Sequence, residues 1–257
     1  MDNKLTLLYS LCMHIDKPHL FSKASRKEYS EFDYQIKFWG VIFEAFFYND
    51  DYMLHWGDTV SKPCKRNNLR FKADLRIVVM SKDEDVVDGT TAEVAKKAQP
   101  FYFNTSPKKL FMDKLKSVLG TKCHVNNFLS SVPFIPAKDI KNVVFPIVQI
   151  MGFDVHIYSL QLVNRSLYVL QDLDSFSFPT NYTSLKHGLA KVINGLSCIE
   201  SLLVFGFSGL VPILRQSEQS SSQVFVLEHT PPFLDSSNLR LEHHRSLLES
   251  FDFYSEH

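Results

Sequence analysis

The sequence predicts an α/β protein with a mixed central sheet, and three observations predict it. Glu31 to Tyr48 repeats apolar residues at helical spacing. Lys141 to Ile150 is a nearly continuous apolar run, the pattern of a strand buried on both faces. Val155, Ile157 and Ser159 then alternate with His156, Tyr158 and Leu160 ahead of an Asn164-Arg165 turn, as in a hairpin.

Taken in order, residues 1 to 27 read as a peripheral segment holding one short helix. In the Glu31 to Tyr48 helix, Phe32, Ile36, Trp39, Phe43 and Phe46 form the expected core-facing stripe, and Asn49 to Asp51 ends it. Asp50 to Asn68 is polar and Lys-rich around Pro63, which predicts a loop or a long hairpin entry. Leu69 to Met80 and Val86 to Lys96 follow as two strands joined by a charged turn, with Asp88-Gly89 available for a bend or bulge. Ser106-Pro107 supplies an N-cap and a first-turn proline, and Leu110, Phe111, Leu115, Val118, Leu119 and Cys123 carry a helix toward Pro133. After the strands from Lys141 to Gln171, Phe176 to Pro179 closes the sheet, and Thr183 or Ser184 caps a last helix to about Phe205. Gln216 to Gln223, all Ser, Gln, Glu and no apolar residue, reads as a linker. Val224 to Leu227 offers an edge strand and Ser237 to Ser250 a short acidic helix. The organisation is a peripheral segment (1–27), an α/β domain (28–208) and an acidic, partly flexible tail (209–257).

The 257 residues carry no net charge, yet the charge is unevenly spread. From Val60 to Ser130 there are 14 Lys and Arg against 7 Asp and Glu; from Gly209 onward there are 3 against 7. A basic middle suits a polyanion, because phosphate contacts supply most sequence-independent affinity for nucleic acid. Cys12, Cys64, Cys123 and Cys198 form no CxxC or zinc-type pattern, which points to reduced thiols in an intracellular protein of cytoplasm or nucleus. Neither the N-terminal apolar run nor Val143 to Phe153 approaches the roughly 18 residues a spanning helix needs, so no membrane partner is expected. The sequons at Asn104, Asn164 and Asn181 then read as chance matches.

Chemistry is hinted at in one place. Asp74 ends Phe71-Lys72-Ala73-Asp74 at the mouth of an apolar strand, and Thr91 to Lys96 offers Glu93 and Lys96 on the next. Gly206-Phe207-Ser208-Gly209 is one residue short of a nucleophile elbow and reads as a helix end; His243-His244 beside Glu242 has no third ligand at metal spacing. Trp39 fits the helix stripe, and Trp56 lies in the expected loop.

The helix–strand–strand–helix–strand order, with an acid on each of the first two strands, resembles the PD-(D/E)XK, or restriction-endonuclease-like, superfamily. Segments such as Phe71-Lys72-Ala73-Asp74-Leu75-Arg76, Glu93-Val94-Ala95-Lys96 and Tyr168-Val169-Leu170-Gln171 also resemble multi-copy proteins of early-diverging fungi over roughly residues 28 to 205, a resemblance that carries no activity with it. The nuclease resemblance implies Asp74 and Glu93 as ligands of Mg²⁺, Glu44 of the preceding helix as a further ligand, and Lys96 as the positioning cation. The superfamily pattern places its lysine two residues after the second acid; here Ala95 stands there. Lys96, three residues on, is expected on the opposite strand face unless a bulge intervenes. Lys62, Lys65, Arg66, Arg70 and Lys72 precede the site and either track a phosphate backbone or form a solvated loop. The leading expectation is a Mg²⁺-dependent nuclease or a nucleic-acid binder derived from one. The alternative is a non-catalytic module that docks a protein partner through its sheet and tail.

Overall fold

The computed structural model describes residues 16–80, 86–96, 107–133, 135–164 and 166–208. The expected tail elements, the Ser106 cap and Cys12 lie outside these residues. Among them, no helix is long and apolar enough to cross a membrane.

Six strands form one mixed sheet: β1 (Tyr52–Thr59), β2 (Ala73–Met80), β3 (Val86–Ala95), β4 (Val144–Met151), β5 (Asp154–Asn164) and β6 (Leu167–Ser177), side by side in chain order. All neighbours are antiparallel except β3 and β4, which run parallel. A parallel pair needs a crossover, and the helix α4 (Pro107–Ser131) makes it. The other helices are α1 (Lys23–Glu28), α2, α3 (Lys62–Arg66), α5 (Ala137–Ile140) and α6 (Tyr182–Ser208). Helix α2 is continuous but not uniform: Glu31–Tyr34 is α-helical, Gln35–Trp39 is a π-turn, and Gly40–Phe46 returns to α.

The molecule has three layers. Helices α2 and α6 cover one sheet face, where Trp39, Phe43, Leu196 and Ile199 pack on Leu75, Ile77, Val94, Ile150 and Ile157. Helix α4 covers the other, with Val125 and Phe128 against Phe145, and Val118 against Ile147. Strand alternation divides β2 and β3 between these layers: Leu75, Ile77, Ala92 and Val94 belong to the α2–α6 core, so Asp74, Arg76, Thr91 and Glu93 turn toward α4.

Four expectations need correction. The stretch expected as a loop or a long hairpin entry contains β1, which pairs antiparallel with β2 as a hairpin entry would, and the helix α3, which neither alternative included; Tyr52, Leu54 and Trp56 pack against the core, but Gly57 at φ 84° and exposed Asp58 break the alternation early. In α2 the buried residues are Tyr34, Gln35, Phe38, Trp39, Ile42, Phe43 and Ala45, while Phe32 and Ile36 are exposed, at 61% and 54%. The helix is aromatic on several sides, and the extra residue of the π-turn shifts which side meets the sheet. The cap of α6 is Asn181, whose Oδ1 accepts from Ser184 N at 2.8 Å; the Ser184 hydroxyl accepts in return from Asn181 N at 3.0 Å. Phe21, expected to be peripheral, is buried against Phe38, Phe153 and Phe178. The bulge expected at Asp88-Gly89 is present: Ile77 pairs with Thr90 and Val78 with Asp88, leaving Gly89 as the extra residue.

A candidate carboxylate and lysine centre beneath helix α4

Leu75 of β2 pairs with Ala92 of β3 in antiparallel register. One step along that ladder, Asp74 stands across from Glu93, and facing residues of an antiparallel pair share one side of the sheet. The two carboxyl groups therefore come together beneath α4. Asp74 Oδ2 accepts from Val94 N at 2.7 Å, which fixes its carboxylate across the end of β3. From the helix face, Gln35 Nε2 donates to the Asp74 carbonyl at 3.1 Å and pins the main chain at the same point. Gln35 is buried at the first position of the π-turn, so the irregular turn of α2 is what carries an amide to this strand.

Glu93 is 4% exposed, and its Oε2 contacts Lys116 Nζ of α4. Burial, and then the nearby Asp74 charge, push the Glu93 carboxyl up to about 8, although Lys116 pulls in the other direction. Asp74 is raised as well, chiefly by burial, with the Val94 hydrogen bond and Lys116 opposing. Burial works against the Lys116 charge, but Glu93 and Asp74 more than offset it, so its pKa ends above the ordinary value. Asp113 of α4 joins the field, raised by burial and held back by Lys116 and Lys109. Glu31, at the start of α2, contacts Lys109 and adds negative potential to both Asp74 and Asp113. Four carboxyl groups thus share a neighbourhood with two ammonium groups. Gln149 of β4 lies beside Glu93 in the parallel register and donates to the Leu110 carbonyl at 3.2 Å, bracing the first turn of α4.

The other expected residues lie elsewhere. Lys96 follows the end of β3 on the side opposite Glu93, and its Nζ donates to the Lys27 carbonyl at 2.8 Å. Glu44 belongs to the α2 layer, where its Oε1 accepts from Trp56 Nε1 at 2.6 Å. The structure therefore brings Asp74 and Glu93 together and leaves Glu44 and Lys96 on the far side of the sheet. Lys116 takes the place expected for Lys96, while Glu31, paired with Lys109, adds only its charge to the field. The helical period of α4 puts Lys116, with Lys109 and Asp113, on the outer face; the structure instead turns Lys116 toward the sheet, where it meets Glu93.

Lys62, Lys65, Arg70 and Lys72 are exposed on α3 and on the segment leading into Asp74. Arg66 donates to Asn127 Oδ1 at 3.1 Å, and Lys72 pairs with Asp58 at 3.1 Å. Arg76, on the same sheet face, is tied to Asp88 and to Thr59 Oγ1.

Oxygen donors are the ligands a hard cation such as Mg²⁺ takes, and Asp74 with Glu93 supplies them in a field with surplus negative charge. Among the described residues, no group of three or more His, Cys, Asp or Glu is arranged to hold a metal ion. The donor set that fits is the pair. No family model, curated protein or solved structure matches this chain.

Proposed function

We propose that this chain is a Mg²⁺-dependent nuclease, or a nucleic-acid binder derived from one, built on a restriction-endonuclease-like core. One observation carries the reading: Asp74 and Glu93 face each other on adjacent strands with the Lys116 ammonium at Glu93. Two carboxylates and a lysine on one sheet face are the components that phosphodiester hydrolysis of this kind needs, and here the lysine comes from a helix instead of the strand.

Each residue has a distinct task. Asp74, with one oxygen held by Val94 N–H, would turn the rest of its carboxylate to the cation together with Glu93. A bound Mg²⁺ would offset charge on the scissile phosphate and lower the pKa of the attacking water. Lys116 remains an ammonium and supplies a point charge to a phosphate oxygen while orienting Glu93. Lys62, Lys65, Arg70 and Lys72 would hold the flanking backbone through charge alone, which makes binding salt-dependent.

The same contact favours a second reading. Lys116 already contacts Glu93 without a cation, as a non-catalytic interaction module with a degenerate nuclease-like fold would require. A plasmid and oligonucleotide cleavage assay with Mg²⁺ or Mn²⁺ separates the two. Cleavage by the native chain that Asp74→Ala abolishes supports the nuclease. Equal activity in both proteins rules out this centre. Salt-sensitive binding without cleavage, unchanged by Mn²⁺, identifies a binder.

A further inference from the structure

A narrow crevice runs between α3, α4 and the segment that leads into β2. Of its lining, Glu93 and His124 are buried, whereas Phe71, Lys72, Arg76 and Lys116 keep some exposure and so form its mouth. The interior, at about 10 Å³, has room for about one water molecule, so a larger ligand is met at the mouth. Three cationic side chains and one phenyl ring therefore surround the approach to Glu93. Lys116 contacts Glu93, Arg76 is tied to Asp88, and Lys72 pairs with Asp58 where both are exposed. Phe71 is the member without a structural task. It is half-buried, belongs to none of the hydrophobic clusters among the described residues, and stands between exposed Arg70 and Lys72. The segment that carries it is pinned at both ends. Leu69 N donates to the Cys64 carbonyl at 2.9 Å just after Asn68 turns the chain at φ 57°, and Ala73 pairs with Thr59 of β1. The ring is held in place without being part of the core. Three residues separate it from Asp74, so the two Cα atoms are at most about 10 Å apart.

We propose that Phe71 is a base-stacking residue that commits this centre to unpaired nucleic acid. The inference rests on the nuclease-or-binder reading above and names the substrate class of the same site. A base beside the phosphate held at Asp74 and Glu93 lies on the Phe71 ring, and Arg70 and Lys72 meet the phosphates that flank it. An aromatic ring among cations is the combination that binds single strands: the charges track the backbone, and the ring takes a base face whatever its sequence. The choice of unpaired substrate follows from the geometry of stacking. A base within a duplex is already stacked on both neighbours and offers a protein ring only its edge, so it reaches Phe71 only after leaving the helix, which costs unstacking and unpairing energy. Charge alone makes no such distinction, because duplex and single strand both present phosphates. Phe71 is thus the specificity-determining residue, and the lysines and arginine supply affinity without it.

The test uses the full chain in chelator, so that binding is read without cleavage. Fluorescence anisotropy follows a labelled oligothymidylate of about 12 nucleotides, alone and annealed to its complement. The native chain should bind the single strand about tenfold more tightly than the duplex, and Phe71→Ala should lose about tenfold on the single strand alone, the usual worth of stacking one base. The salt dependence should stay the same in this variant, since no charge is removed. Phe71→Trp should keep single-strand binding, while Phe71→Leu, which fills the space but has no ring face, should behave as Phe71→Ala. Ultraviolet crosslinking of an iodouracil-substituted strand to the native chain should place the adduct on the peptide holding Phe71, a readout that needs no variant to fold. Native-like binding by Phe71→Leu, equal losses on single strand and duplex, or an adduct elsewhere overturns the stacking role. Nucleic-acid binding with no preference for the single strand overturns this inference and leaves the nuclease reading standing; no binding to either form overturns both.

Discussion

Lys116 and Lys96 show how differently two lysines near one carboxylate can be used. Lys96 follows Glu93 closely in the chain, yet strand alternation sends it to the opposite layer, where it holds the Lys27 carbonyl. Lys116 is far from Glu93 in sequence but contacts it across the α4–β3 packing. Lys116→Met should therefore reduce metal-dependent cleavage by roughly 100-fold or more, the usual loss when one group stabilising transition-state charge is removed. Lys96→Ala should leave single-turnover rates close to native. Glu93 sets the pH response of the same centre. With its carboxyl at about 8, it is protonated at lower pH and gains its negative charge only above that value. Mn²⁺ affinity measured by calorimetry should rise as pH passes through about 8, with proton release on binding; in Glu93→Gln this rise should disappear.

At the scale of elements, the bulge in β3 is the feature with the clearest mechanical requirement. A Cβ on Gly89 would lie 2.5 Å from Leu203 Cδ2 and 3.0 Å from Val79 Cγ2, so α6 packs directly on the extra residue. Gly89→Ala should destabilise the fold by about 1–3 kcal/mol, the range for overpacking a close-packed site, read as a lower denaturation midpoint at unchanged slope. Much of this architecture was legible in the sequence because β2, β3, β4 and α4 each have a strong period or a clear breaker. The Asp88-Gly89 bulge was legible for the same reason. The rest was hidden by physics that sequence spacing does not register. Strand β1 was obscured by Gly57 and Asp58 within it. The buried side of α2 was misjudged because a π-turn inserts one residue into a helix whose sides are nearly all aromatic. Asp74 and Glu93 could be paired from their positions at strand ends. Lys116 could not, since only tertiary packing decides which residue of α4 meets Glu93.

For the whole molecule, the sheet joins a hydrophobic layer to a polar one, and their demands on pH differ. The phenols of the α2–α6 core, Tyr29 and Tyr34, are pushed by burial above their ordinary value of 10, while Glu93 titrates close to neutrality. Glu93 binds its proton more tightly in the folded chain, at about 8 against an ordinary 4.5. Its contribution to stability is thus fully present below about 4.5 and is lost as pH rises to about 8. Denaturant midpoints should fall over this window in metal-free buffer, and Glu93→Gln should flatten the slope. The strand order also has a consequence for the molecule among its own copies. With β1 and β6 outermost, β6 has a neighbouring strand on one side only among the described residues. Its exposed Leu167 and Val169 are followed by Asp172 and Asp174, also exposed. Those two carboxylates act as gatekeepers, since charge along a free edge opposes the pairing of one sheet with another. The double variant Asp172→Val, Asp174→Val should show concentration-dependent self-association in sedimentation velocity at a thermal midpoint near native. The acids of this sheet would then keep the protein monodisperse at one end and do chemistry at its centre.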